Sequence, residues 1–101
     1  IIATVMPVLP VWRHYQPGTT SSRIQALNSQ IFALAAQYNL ALVDLFAMFD
    51  ANPQLIGADG LHPTIEGQTR IAGAFRDEIV RRYGSDISTT SLRFSTMRRT
   101  R

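Results

Sequence analysis

Asp59 and His62 stand three residues apart in the stretch DGLHPTIEG, close enough for a carboxylate and an imidazole to meet across a turn. A carboxylate on one ring nitrogen fixes the tautomer and leaves the other nitrogen as a general base. Such a pair forms the orienter and base of a hydrolytic triad, whose third member is a nucleophile. Gly60 lets the chain turn tightly between them. Pro63 holds His62 in extended backbone and keeps it out of any following helix. The same spacing also suits an ordinary turn in which Asp59 only bonds the backbone. Zinc does not fit, because the chain has two histidines and no cysteine.

The segments around the pair read as alternating strands and helices. Ile1 to Leu9, IIATVMPVL, is an apolar run rich in β-branched residues, as expected of a strand buried on both faces. Pro7 and Pro10 place its end near Met6 to Leu9. A loop follows with Trp12, His14, Tyr15 and the turn pair Pro17-Gly18. Ser22 to Gln25 fits a capping box, and Ile24, Leu27, Ile31, Leu34 and Tyr38 recur at helical spacing. These predict a helix from about Ser22 to Tyr38, ending near Asn39. Leu40 to Phe46 predicts a second strand, with Asp44 capping a turn at its end. Met48 to Leu61 reads as a loop or short helical turn. Thr64 is placed to cap a last helix reaching about Tyr83, with Ile71, Phe75 and Ile79 on one stripe.

The order β-α-β-α with apolar strands predicts an α/β fold with a parallel sheet. Loops at the carboxyl ends of such strands carry ligands and catalysis, and Asp59 and His62 lie in one of them. Two strands apolar on both faces exceed what two helices can cover, so the packing predicts part of a wider sheet. Hydrophobic residues at 46% and charged ones at 17% exclude a disordered chain. The net charge of +3 comes from the segment after Gly84, where four arginines face Asp86 alone. Residues 1–83 balance, which excludes a basic nucleic-acid face, and no apolar run is long enough for a membrane span. The expected division is therefore a folded unit over 1–83 and a flexible Ser/Thr/Arg-rich tail over 84–101.

DGLHP followed by T-x-x-G and an amphipathic helix resembles the last block of the SGNH, or GDSL-type, serine esterases and lipases. The resemblance runs from Ile1 to Tyr83 and is specific in DGLHPTIEG. It implies the C-terminal portion of a three-layer α/β/α sandwich with a flavodoxin-like parallel sheet. It also implies that Asp59 orients the ring and that His62 activates a serine. No cofactor is implied, and the substrate class would be a small carboxylic ester, acyl or acetylated sugar. Trp12, Tyr15 and Leu61 are the candidates to line its pocket, while His14 reads more simply as a surface or packing residue.

The family's G-D-S nucleophile segment and its G-x-N-D oxyanion segment have no counterpart here. Ser21, Ser22 and Ser29 belong to the helix start, and Ser85, Ser88, Ser91 and Ser95 to the tail. The expectation is a C-terminal part that needs an N-terminal part of the domain and is inactive alone. Many bacterial relatives are exported, and a leader would lie upstream of Ile1. The alternative reading is a non-catalytic interaction module in which DGLHP is a structural turn.

Overall fold

Of the apolar run Ile1 to Leu9, only Ile2–Ala3 forms a regular strand, β1, half-buried and not enclosed on both faces. The strand is shorter than expected because the Val5 backbone bonds the Asn28 side chain and no neighbouring strand. It pairs in parallel with β2, Leu42–Val43, in a register that sets Ile2 opposite Leu42 and Ala3 opposite Val43. Ladder bonds continue beyond these residues: Ile2 N–H donates to the Ala41 carbonyl at 2.9 Å and Thr4 N–H to the Val43 carbonyl at 3.0 Å. The computed structural model describes residues 1–99, with side chains described through Gly84. Over these residues the chain is a mixed helix and strand structure built on this two-stranded parallel sheet.

Helix α1, Thr20–Tyr38, connects the strands and lies against β1. It starts two residues before the expected capping box. Ser22 is already helical, and its hydroxyl donates to the carbonyls of Gly18 and Thr19. The turn is made instead by Gly18 at φ +76, with the Thr20 hydroxyl accepting from Gln16 N–H at 2.9 Å. Its end falls at Asn39, which adopts the left-handed conformation at φ 52. Leu40 N–H donates to Ala35 and Asn39 N–H to Ala36, satisfying carbonyls that the last turn leaves open. The Arg82 guanidinium also donates to the Asn39 carbonyl, placing a cation at the negative end of α1.

The second strand is shorter than Leu40 to Phe46 because a helix begins inside that stretch. Asp44 caps α2, Leu45–Ala51, its carboxylate accepting from Ala47 N–H at 3.2 Å and from the Thr4 hydroxyl at 2.9 Å. Thr4 Oγ1 in turn accepts from Phe46 N–H at 2.9 Å. This buried threonine thus joins the end of β1 to the first turn of α2. On the helix side, buried Asn28 pairs both its amide atoms with the backbone of Val5, Oδ1 with N–H at 2.7 Å and Nδ2 with the carbonyl at 3.0 Å. A hydrophobic stripe alone did not reveal this polar latch.

The core gathers around Phe49 and Leu55, both fully buried, with Ile56 beside them and Met6, Leu9, Met48 and Ile71 packed against them. Burying a side chain of this kind stabilises by roughly 1.5–3 kcal/mol. A short 3₁₀ turn, Pro53–Leu55, brings Leu55 into place, and helix α3, Ile65–Arg99, runs back against β2. Its backbone breaks at Tyr83, φ −122 and ψ 22, one residue before the expected tail. Helical backbone nevertheless continues to Arg99, beyond the end expected near Tyr83, while the side chains of residues 85–99 and all of residues 100–101 lie outside the described residues. Of the expected α1 stripe, Ile24 and Ile31 are half-buried, whereas Leu27, Leu34 and Tyr38 are exposed, Tyr38 at 63%.

Candidate active site

His62 Nδ1 lies 2.5 Å from Asp59 Oδ2, so the pair foreseen from their spacing does meet. Because an ionised carboxylate can only accept, Nδ1 is the donor, and in the neutral imidazole Nε2 keeps its lone pair. The other carboxylate oxygen, Oδ1, accepts from the backbone N–H groups of Leu61 and His62, each at 3.0 Å. One aspartate therefore holds both the turn and the ring. These bonds, that to the His62 side chain above all and then those to the two amides, keep the Asp59 carboxyl well below the usual carboxylate range.

The loop that carries the pair is tied down at each end. Gly57 N–H donates to the His62 carbonyl at 2.7 Å, and Gly60 N–H to the Gly57 carbonyl at 3.0 Å. Ile56 and Pro63 form an antiparallel bridge, and Thr64 N–H donates to the Leu55 carbonyl at 2.8 Å. Pro63 keeps His62 outside α3, and the Thr64 hydroxyl caps that helix by accepting from Gly67 N–H at 3.0 Å. Gly67 explains the T-x-x-G spacing. A Cβ there would lie 2.6 Å from the Leu55 carbonyl and 3.1 Å from the Phe49 ring, so glycine lets α3 begin directly on the core.

The second wall of the site comes from the loop after β1. Leu9 N–H donates to the Gly60 carbonyl at 2.9 Å. Gly60 itself has φ +75, and a Cβ on it would lie 2.8 Å from Trp12 N and from Val11 Cγ1. The two loops touch through a glycine that neither conformation nor space allows to be anything larger. Between them lies an open cleft of about 350 Å³ lined by Val11, Trp12, Arg13, Asp59, Leu61 and His62. The His62 side chain is 75% exposed, and Nε2 has no hydrogen-bond partner among the described residues.

Trp12 and Leu61 thus stand beside the pair, as the position of their loops suggested. Tyr15 is not among the residues lining this cleft; its N–H donates to the Trp12 carbonyl at 2.9 Å. His14 lies at the edge of the Trp12 ring, centroids 5.3 Å apart, and is remote from the roles given to His62. Arg13 has no signature in the sequence, because an arginine next to a tryptophan carries no motif. Its place in the cleft follows from the contact of Gly60 with Trp12.

Ser21, Ser22 and Ser29 bond within or at the start of α1 and do not line the cleft. Among the described residues, no group of three histidine, cysteine or acidic side chains converges to hold a metal ion, and no helix is long and apolar enough to cross a membrane. The arrangement offers an oriented base facing an open cleft with apolar walls, without a nucleophile of its own among the described residues. Compared with known proteins, the chain matches no family model, no curated protein and no solved structure.

Proposed function

We propose that Asp59 and His62 are the orienter and general base of a serine ester hydrolase of SGNH, or GDSL, type. The observation that carries this reading is the 2.5 Å contact between Nδ1 and Oδ2, with Oδ1 fixed by two amides and Nε2 left facing the cleft. In the reaction, Nε2 takes the proton of an attacking serine hydroxyl and then gives it to the departing alcohol. Asp59 remains ionised and steadies the imidazolium between these steps. The serine and the oxyanion donors come from outside the described residues. The chain supplies the C-terminal part of a three-layer α/β/α sandwich, whose further strands and helices cover the apolar side chains now exposed on Ile1, Val5, Leu27 and Leu34. A cleft of about 350 Å³ suits a small acyl group or an acetylated sugar.

The test compares the chain alone with the chain joined to, or mixed with, a segment carrying the serine. Alone, it should neither turn over p-nitrophenyl esters nor take up a fluorophosphonate label, because no serine lines the cleft beside His62. In the completed enzyme, His62→Ala should lower ester hydrolysis by roughly four to six orders of magnitude, following the scale of triad deletions. Hydrolysis within a few-fold of the parent after that change would overturn the proposal.

A second reading rests on Asp59 Oδ1, whose amide bonds alone would justify the aspartate in a structural turn of a non-catalytic module. In that case, the completed protein would remain inert to the fluorophosphonate.

A further inference from the structure

The cleft holds a cation that ester hydrolysis by a triad does not require. Arg13 lines it together with the apolar Val11, Trp12 and Leu61 and the pair Asp59 and His62. Among the described residues, Arg13 has no acidic partner, in contrast to Arg70, Arg76 and Arg81, which pair with Glu66, Asp77 and Glu78. Its one hydrogen bond runs from Nε to His14 Nε2 at 3.0 Å, and His14 is itself set edge-on against Trp12. This contact fixes the inner end of the guanidinium and leaves the two terminal amino groups as free donors. The planar fork of a guanidinium matches two oxygens of a carboxylate, phosphate or sulfate. Asp59 lines the same cleft but makes no ion pair with Arg13; its hydrogen bonds go to the His62 ring and to the two amides.

We infer that Arg13 is a specificity-determining residue and that the cleft takes ligands joining a short apolar group to an anionic oxygen group. Applied to catalysis, this rests on the ester-hydrolase reading given above, and the substrates would then be small esters carrying an acid function close to the scissile bond. The apolar part lies against Trp12, Val11 and Leu61, and the acid pairs with Arg13. Binding itself does not require that His62 be a base. The two ideas can therefore fail separately.

Trp12 is the single tryptophan of the chain, so its emission reports on this cleft alone. The experiment titrates the full chain at pH 8 and low ionic strength, following Trp12 fluorescence, with hexanoate, with the neutral isostere hexanamide and with butyl phosphate. The Arg13 variants identify Arg13 as the cation under test. One unit charge pair at about 4 Å in an aqueous environment corresponds to a preference of about fivefold, and the exposure of the site sets that as the expected scale. Hexanoate should bind about fivefold tighter than hexanamide. Arg13→Gln should make the two equal, and Arg13→Lys should keep part of the preference while losing the advantage of the fork. Butyl phosphate binding above hexanoate would assign the anion as phosphate, and the reverse order would assign it as carboxylate. Arg13 is exposed, so far-UV circular dichroism of the variants should match the parent. Equal affinity for acid and amide in the parent, or an acid preference that survives Arg13→Gln, would overturn the inference. Neither result bears on the hydrolase reading, which the His62→Ala assay decides.

Discussion

Gly60 is the hinge on which the site is assembled, and its replacement can be worked out from the structure. The residue has φ +75, a left-handed conformation that costs an L side chain about 1–2 kcal/mol. An added methyl would also meet Trp12 N and Val11 Cγ1 at 2.8 Å and the Leu9 carbonyl at 3.2 Å. Two of these three atoms are backbone and cannot swing away. Forcing the loops apart adds about 1–3 kcal/mol, on the scale of an overpacked core. A loss of unfolded-chain entropy returns about 0.4–1 kcal/mol. Gly60→Ala should therefore destabilise the chain by about 2–4 kcal/mol.

Two other glycines separate these contributions. Gly18 has φ +76 with nothing within 4 Å of an added Cβ, so Gly18→Ala carries the conformational cost without the clash. Its net effect should be about 0.5–1 kcal/mol destabilising. Gly73 lies within α3, also has open space around it and has no positive φ, so Gly73→Ala should stabilise by about 1 kcal/mol. Urea unfolding of the three variants at constant slope would give the order Gly73→Ala, parent, Gly18→Ala, Gly60→Ala from most to least stable. If Gly60→Ala fell within about 0.5 kcal/mol of Gly18→Ala, the close contact between the two loops would be wrong, and with it the shape of the cleft.

Further perturbations test other parts of the structure. Asn28→Ala leaves the Val5 N–H and carbonyl without their partner and should cost about 1–3 kcal/mol in urea unfolding, whereas a cost near zero would remove the latch between α1 and β1. Asp59 should remain ionised in a carbon-detected NMR titration down to pH 3, below the midpoint of a free aspartate; a folded midpoint near 3.9 would mean that the bond to His62 does not form. Because its folded pKa is depressed, this group contributes stability that is fully present above the ordinary carboxylate range and is lost as pH falls towards the folded value. Asp59→Asn in the completed enzyme should reduce turnover by about 10⁴-fold through the wrong imidazole tautomer, and activity preserved within tenfold would exclude the orienting role.

What could be read in the sequence was whatever a short local pattern determines. D-x-x-H followed by proline specifies its own turn, since Asp59 bonds the amides two and three residues on, and the pair formed as its spacing implied. Asn39 as a helix end and Thr64 as a helix cap are likewise local. What these local patterns miss depends mostly on partners farther along the chain. Thr4, forty residues from Asp44, helps turn the expected strand end into α2, and no window of sequence around Phe46 contains that information. Ser22 to Gln25 has the composition of a capping box, but the Pro17-Gly18 turn starts the helix earlier and leaves Ser22 inside it. The place of Arg13 was hidden for the same reason, because it is set by Gly60 fitting under Trp12 across the gap between two loops.

This division between local and distant determinants bears on how the site would assemble. Nearly every bond that orients His62 begins and ends between Leu55 and Gly67, and the exception, Leu9 to Gly60, comes from the other wall of the same cleft. Directly beneath lie Phe49, Leu55 and Ile56, the best-buried apolar cluster in the chain. Exposed apolar side chains lie on β1 and its flanks (Ile1, Val5), on α1 (Leu27, Phe32, Leu34, Tyr38), in the cleft loop (Val11) and on α3 (Ile65, Val80, Tyr83). Asp59 and His62 are therefore held by the part of the chain that contains the buried cluster of Phe49, Leu55 and Ile56. On the ester-hydrolase proposal, a serine brought to the cleft would meet an imidazole already oriented by Asp59, which lowers the reorganisation that a freely turning histidine would add to the barrier.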